Sequence, residues 1–161
     1  MDEELLCGLE NFEDVWRRVR GEAPPAVPAK TAQTHTLCAL MDEKCAQSRL
    51  YAALARCCTA SRNDLERLAR EERRQFRALQ LEYFLITGAC HRAGAGCAHF
   101  TDVKSGLRMA WLQEKESAAA LDRAALSAEE TLRETLLRLA NEDAAHARRL
   151  YALLRSCFCT D

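Results

Sequence analysis

Apolar residues recur in steps of three and four through most of this chain, the spacing that lines up side chains on one face of an α-helix. Four long segments carry the pattern. Helix A is predicted over roughly 32–57, on Leu37, Leu40, Leu50, Tyr51 and Leu54. Helix B is predicted over roughly 63–87, on Leu65, Leu68, Leu79, Tyr83 and Ile86. Helix C covers roughly 104–125, on Leu107, Trp111, Ala118, Leu121 and Ala125, and helix D roughly 128–156, on Leu132, Leu136, Leu139, Leu150 and Leu153. Ser61, Asn63 and Asp64 offer helix B a start and Gly88 a stop, while Ser127 with Glu130 has the spacing of a capping box for helix D. Short turns separate A from B and C from D; residues 88–103 form a longer Gly-, Cys- and His-rich connection. Two hairpins joined by one long crossover predict an all-α, antiparallel four-helix bundle.

A shorter stripe precedes the bundle, on Leu5, Leu6, Leu9, Phe12, Val15, Trp16 and Val19, and it runs into a Pro-rich stretch from Gly21 to Pro28. Proline cannot continue a helix. Residues 1–30 are therefore expected to be a helical N-terminal arm with its linker, and 31–161 the bundle. The two hairpins also repeat one another. An ungapped offset of 71 places Leu50 on Leu121, Glu72 on Asp143, Gln75 on His146 and Leu79 on Leu150, and it carries Glu43 onto Glu114.

Polar residues interrupt the apolar stripes at matching heights. Glu72-x-x-Gln75 and Asp143-x-x-His146 each place two polar groups three residues apart on a core-facing stripe, and Glu43 and Glu114 stand on the other two helices. An ionised carboxylate in an apolar core is costly unless a partner or a metal compensates it. Four carboxylates gathered beside one imidazole would repel one another strongly in a low dielectric, and a di- or trivalent cation removes that repulsion. Oxygen and imidazole donors suit iron, manganese or zinc. Glu43, Glu72, Glu114, Asp143 and His146 are thus the candidate metal ligands. Lys44 competes with Glu43 for the inward position. Glu43 inward favours a metal site, whereas Lys44 inward favours a metal-free scaffold in which an ammonium pairs with Glu72.

Composition narrows the classes. Net charge is −1 over 161 residues, so no electrostatic case exists for nucleic acid or an acidic membrane surface. No run of about 18 apolar residues occurs, and the acidic start Met1-Asp2-Glu3-Glu4 lacks the basic region of a signal peptide. The expected location is the cytoplasm, where the nine cysteines would be free thiols. Cys90, His91, Cys97 and His99 share the crossover, and a zinc- or thiol-based sensor there is a further alternative.

The segments Leu68–Leu79 (LAREERRQFRAL) with Glu82–Gly88 (EYFLITG), and Leu139–Leu150 (LANEDAAHARRL), resemble helices B and D of small bacterial rubrerythrin-like, ferritin-like proteins. Ala46–Ala55 and Ala110–Glu116 are similar, more weakly, to helices A and C, so the resemblance spans residues 32–155. It implies a ferritin-like bundle, a di-iron centre and peroxide- or oxygen-linked oxidoreductase activity, often in a homodimer. By position Glu72, Glu114 and His146 match the implied ligands. Asp143 stands where the family has Glu, and Gln75 where it has the second His, a neutral amide being a poor ligand. The chain has no Cys-x-x-Cys pair, so a peroxidase of this kind would take electrons from an external donor.

Overall fold

The computed structural model describes residues 28–158 apart from 95 and 97, and it is an all-α four-helix bundle. The predicted N-terminal arm lies outside the described residues. Helix α1 spans Pro28–Cys57, α2 Arg62–Thr87, α3 Val103–Ala125 and α4 Glu130–Phe158. α1 starts earlier than its apolar stripe suggests. Proline is tolerated in the first helical turn, where its missing N–H has no intrahelical partner to lose, so Pro28 opens the helix.

The helix ends follow local chemistry, with one exchange. Gly88 caps α2 in the left-handed conformation at φ 71°, and its N–H reaches Phe84 O, as the glycine signal predicts. The capping box belongs to α3: Asp102 accepts from Ser105 N at 2.8 Å while Ser105 Oγ accepts from Asp102 N at 3.1 Å. Ser127, expected to cap α4, instead donates its hydroxyl back to Ala124 O. The crossover is strapped to α1. Arg49 Nη1 donates to Gly94 O at 2.6 Å, and Asp42 Oδ1 meets His91 Nε2 at 2.9 Å and Gly94 N at 3.3 Å.

Two apolar clusters fill the bundle. One joins Leu37, Leu40 and Met41 to Leu79, Leu121, Leu132, Leu136 and Leu139. The other joins Leu50, Tyr51 and Leu54 to Leu65, Leu68, Leu107, Ala110 and Leu150. The start of α1 thus packs beside the end of α2, the end of α3 and the start of α4. The helices run up, down, down, up, and the long crossover returns the chain between the two middle ones, a four-helix bundle with one long connection. Each fully buried leucine contributes about 1.5–3 kcal/mol, so the two clusters hold the frame that the layer between them requires.

Gly106 shows how tightly the second cluster closes. A Cβ there would lie 2.6 Å from Leu54 Cδ2 and 3.0 Å from the Phe100 ring. Alanine normally outranks glycine inside a helix by about 1 kcal/mol. Here the overpacking costs about 1–3 kcal/mol, so Gly106→Ala should lower the melting temperature despite better helix propensity. A raised Tm in thermal denaturation would refute this close approach.

Candidate metal centre

Between the two apolar clusters, every helix contributes a polar pair three residues apart: Lys44 and Gln47 on α1, Glu72 and Gln75 on α2, Glu114 and Ser117 on α3, Asp143 and His146 on α4. All eight are buried. The spacing follows from helical geometry, since residues three apart share a face. The heptad steps 37, 40, 44, 47, 51 and 54 put Lys44, not Glu43, on the core side of α1. Glu43 is only half-buried and stands outside the group of converging ligand atoms. The inward position on α1 is Lys44, which is 0% exposed and pairs with Glu72, the arrangement expected of a metal-free scaffold and not of the five-ligand site that includes Glu43. The repeat between α2 and α4 keeps its offset of 71, but α1 matches α3 at 70, so the ungapped alignment paired Glu114 with the wrong neighbour.

Glu72, Glu114, Asp143 and His146 each offer one ligand atom, and these atoms all lie within 4.8 Å of one another. That set is able to hold a metal ion. His146 is the hub. Its Nδ1 lies 2.8 Å from Glu72 Oε1 and 3.5 Å from Glu114 Oε1. Its Nε2 lies 2.8 Å from Glu71 Oε2, which Arg149 Nη1 also meets at 3.1 Å. Lys44 Nζ pairs with Asp143 Oδ2 and lies 3.3 Å from both Glu72 Oε2 and Gln47 Oε1. Tyr51 OH donates to Glu114 Oε1. Gln75 donates Nε2–H to Glu142 Oε2 at 3.1 Å.

The electrostatics of this layer are set by burial and by pairing. Burial pushes Glu114 up, and Glu72 and Asp143 push it further, against His146 and Lys44; its carboxyl reaches about 7. Burial alone would lower His146, but its bonds to Glu114 and Glu72 outweigh that and hold the imidazolium up to about 10. For Glu72 burial acts upward, yet Lys44 and His146 prevail and keep it below the usual carboxylate range. Lys44 is likewise held charged by Glu72 and Asp143 against its own burial. Two cations therefore face Glu72, Asp143 and a half-titrated Glu114. Even so, Glu114 Oε2, Asp143 Oδ1 and Gln75 Oε1 have no hydrogen-bond partner, an arrangement that costs stability in a dry core.

Two members of this layer were not singled out by the sequence: Glu71 and Ser117. Tyr51 stands on the predicted stripe seven residues after Lys44, but its hydrogen bond to Glu114 was not foreseen. Glu71 carried no signal, because it lies at the edge of the stripe and joins the layer through the ring of His146. In the crossover, Cys90 is exposed and His91 is engaged with Asp42, while Cys97 lies outside the described residues. Among the described residues no other cluster of His, Cys and carboxylates reaches the spacing of a metal site. No described helix is long and apolar enough to cross a membrane. Comparison with protein-family models, with curated proteins and with solved structures gives no match to this chain.

Proposed function

We propose that the bundle core binds one metal ion through Glu72, Glu114, Asp143 and His146. The observation that carries this reading is the orientation of His146. Metal-binding histidines characteristically donate the second ring N–H to a carboxylate, which fixes the tautomer and turns the other nitrogen to the ion. Glu71 accepts from Nε2–H, and Nδ1 faces Glu72 and Glu114. The partnerless oxygens of Glu114 and Asp143 give a cation something to satisfy. Lys44 already supplies a positive charge to Glu72 and Asp143, so one ion, and not two, completes the balance.

Iron is the metal that the resemblance to rubrerythrin-like proteins favours, with manganese and zinc as alternatives. Bound iron would supply redox chemistry toward oxygen or peroxide, an oxidoreductase reading that calls on an external electron donor. The chain's own residues do the rest. Lys44 and Tyr51 fix the carboxylates, Glu71 aims the imidazole, and the two apolar clusters exclude bulk water.

The test is elemental analysis of protein purified without oxygen and reconstituted with ferrous iron. About one metal per chain is expected, and it should be lost in Glu114→Ala and His146→Ala. About two would reinstate a dinuclear site. None from a well-folded chain would leave the second reading, a metal-free scaffold, which the ion pairs of Lys44 favour. In that case Lys44 and His146 would be the only cations the layer uses.

A further inference from the structure

The outer face of α3 and α4 carries a feature that the metal centre does not use. Two hollows of about 770 and 520 Å³ lie along it, and both are lined by Trp111 and Tyr151. We propose that this trough docks an acidic, amphipathic helix of a partner protein.

The floor is apolar and open. Tyr151 is 52% exposed and Phe158 65%, and the Trp111 and Tyr151 rings lie 6.1 Å apart. Bulky apolar side chains left half in water along a continuous strip mark an interaction surface. Ala118, Ala144 and Ala147 line the second hollow, small residues that let another backbone approach closely. The rim is cationic. Lys104, Arg108 and Arg155 line the first hollow and Lys115 and Arg148 the second. Lys104 Nζ sits 4.6 Å above the Phe158 ring, and Lys115 Nζ 4.9 Å above Trp111. The single lining carboxylate, Asp102, is committed to capping α3. In a chain of net charge −1, Arg108, Arg155, Lys115 and Arg148 around one apolar strip are a local concentration of positive charge.

Trp, Tyr and Arg are the residues that dominate binding energy in protein interfaces. The shape selects among acidic partners. From Lys104 to Ala118 the trough follows α3 for about 21 Å, or some four helical turns at 1.5 Å per residue. An enclosed pocket would suit a small molecule, which buries most of its surface. A long, shallow trough between two antiparallel helices suits a third helix, with apolar side chains at i, i+3, i+4 and i+7 on the aromatics and carboxylates reaching the rim.

The probe is a fluorescein-labelled synthetic peptide of about 18 residues, with Leu on one helical face and Glu on the other. Its control has Lys in place of each Glu. Fluorescence anisotropy with the full chain should show the acidic peptide binding at least tenfold tighter than the control, with the difference shrinking in salt. Trp111→Ala, and separately Arg108→Glu combined with Arg155→Glu, should each weaken binding at least tenfold. Arg73→Glu, a charge reversal on exposed α2 surface, should not. Circular dichroism establishes that each variant is folded, and the arginine pair keeps the test valid if Trp111→Ala is not. Equal affinity for the two peptides, or indifference to the groove variants, overturns the proposal. So does displacement of the peptide by oleate at lower concentration than by unlabelled peptide, which would assign the trough to a small anionic amphiphile. Self-association of the chain that Trp111→Ala abolishes, without peptide binding, would assign it to a second copy.

Discussion

Lys44→Met should destabilise the metal-free protein by about 3–5 kcal/mol, the usual effect of removing one partner from a buried charge pair. Methionine fills a similar volume, so the loss is electrostatic and not a cavity. Lys44 is fully buried, and its ammonium pairs with Glu72 and Asp143. Without it those carboxylates face only each other, Glu114 and the imidazolium of His146. Against a total stability of about 5–15 kcal/mol, such a loss shows directly as a lower denaturant midpoint with unchanged slope. Two further results follow from the same cause. Glu72 is held below the usual carboxylate range against burial by Lys44 and His146, so in the variant it regains a proton more easily. The deficit should therefore shrink as pH falls toward 5. A divalent cation should also restore the variant more than it stabilises the wild type, because it fills the charge that Lys44 vacated. Urea titrations with chelator and with added metal measure all three. Wild-type stability in Lys44→Met with chelator would sink the claim that this ammonium balances the layer.

The frame was far easier to read from sequence than its centre, for a physical reason. Apolar stripes repeat over many turns, so an error of one residue hardly moves a helix. Four helices, the long crossover and the αL stop at Gly88 follow from that redundancy and from glycine's freedom at positive φ. A buried polar layer has no such redundancy, since each helix offers two residues. The choice between Glu43 and Lys44 rested on one step in the α1 stripe. Carboxylate chemistry made Glu43 attractive, but the uninterrupted heptad through Leu37, Leu40, Lys44, Gln47 and Tyr51 decides the register. Glu72, Glu114, Asp143 and His146 converge as expected, because each continues its stripe without ambiguity. Gln75 marks where the implied second imidazole is missing, and its amide has turned to Glu142. Glu71 was illegible for a different reason: its role depends on a ring from another helix, 75 residues away, and no local pattern encodes that.

Metal affinity should rise steeply with pH, about tenfold per unit between pH 7 and 9, while the metal-free protein loses stability over the same range. Both effects trace to His146, whose imidazolium is held up to about 10 by Glu114 and Glu72 against the burial that would lower it. A raised folded-state value means stability that is fully present below the unfolded value of 6.5 and is lost as pH rises through the folded one. Glu114, raised by burial from 4.5 to about 7, adds a loss of the same sign at lower pH. Glu72 acts oppositely, because its lowered value withdraws stability only in acid. The metal-free chain is therefore expected to be most stable in mild acid, with a Tm that falls from about pH 5 upward through Glu114 and continues to fall above 6.5 through His146. A metal ion inverts this trend. To bind Nδ1 it must displace the proton that His146 shares with Glu72, and that displacement becomes easier with each pH unit. The gap in Tm between loaded and metal-free protein should widen from pH 6.5 to 9. Calorimetric titration in buffers of different ionisation enthalpy should detect about one proton released per ion near pH 8. Below pH 7 the protonation of Glu114 adds a second release and a steeper slope. An affinity that stays flat from pH 7 to 9 would remove His146 from the ligand set, and the imidazolium would then be a permanent cation of the core beside Lys44.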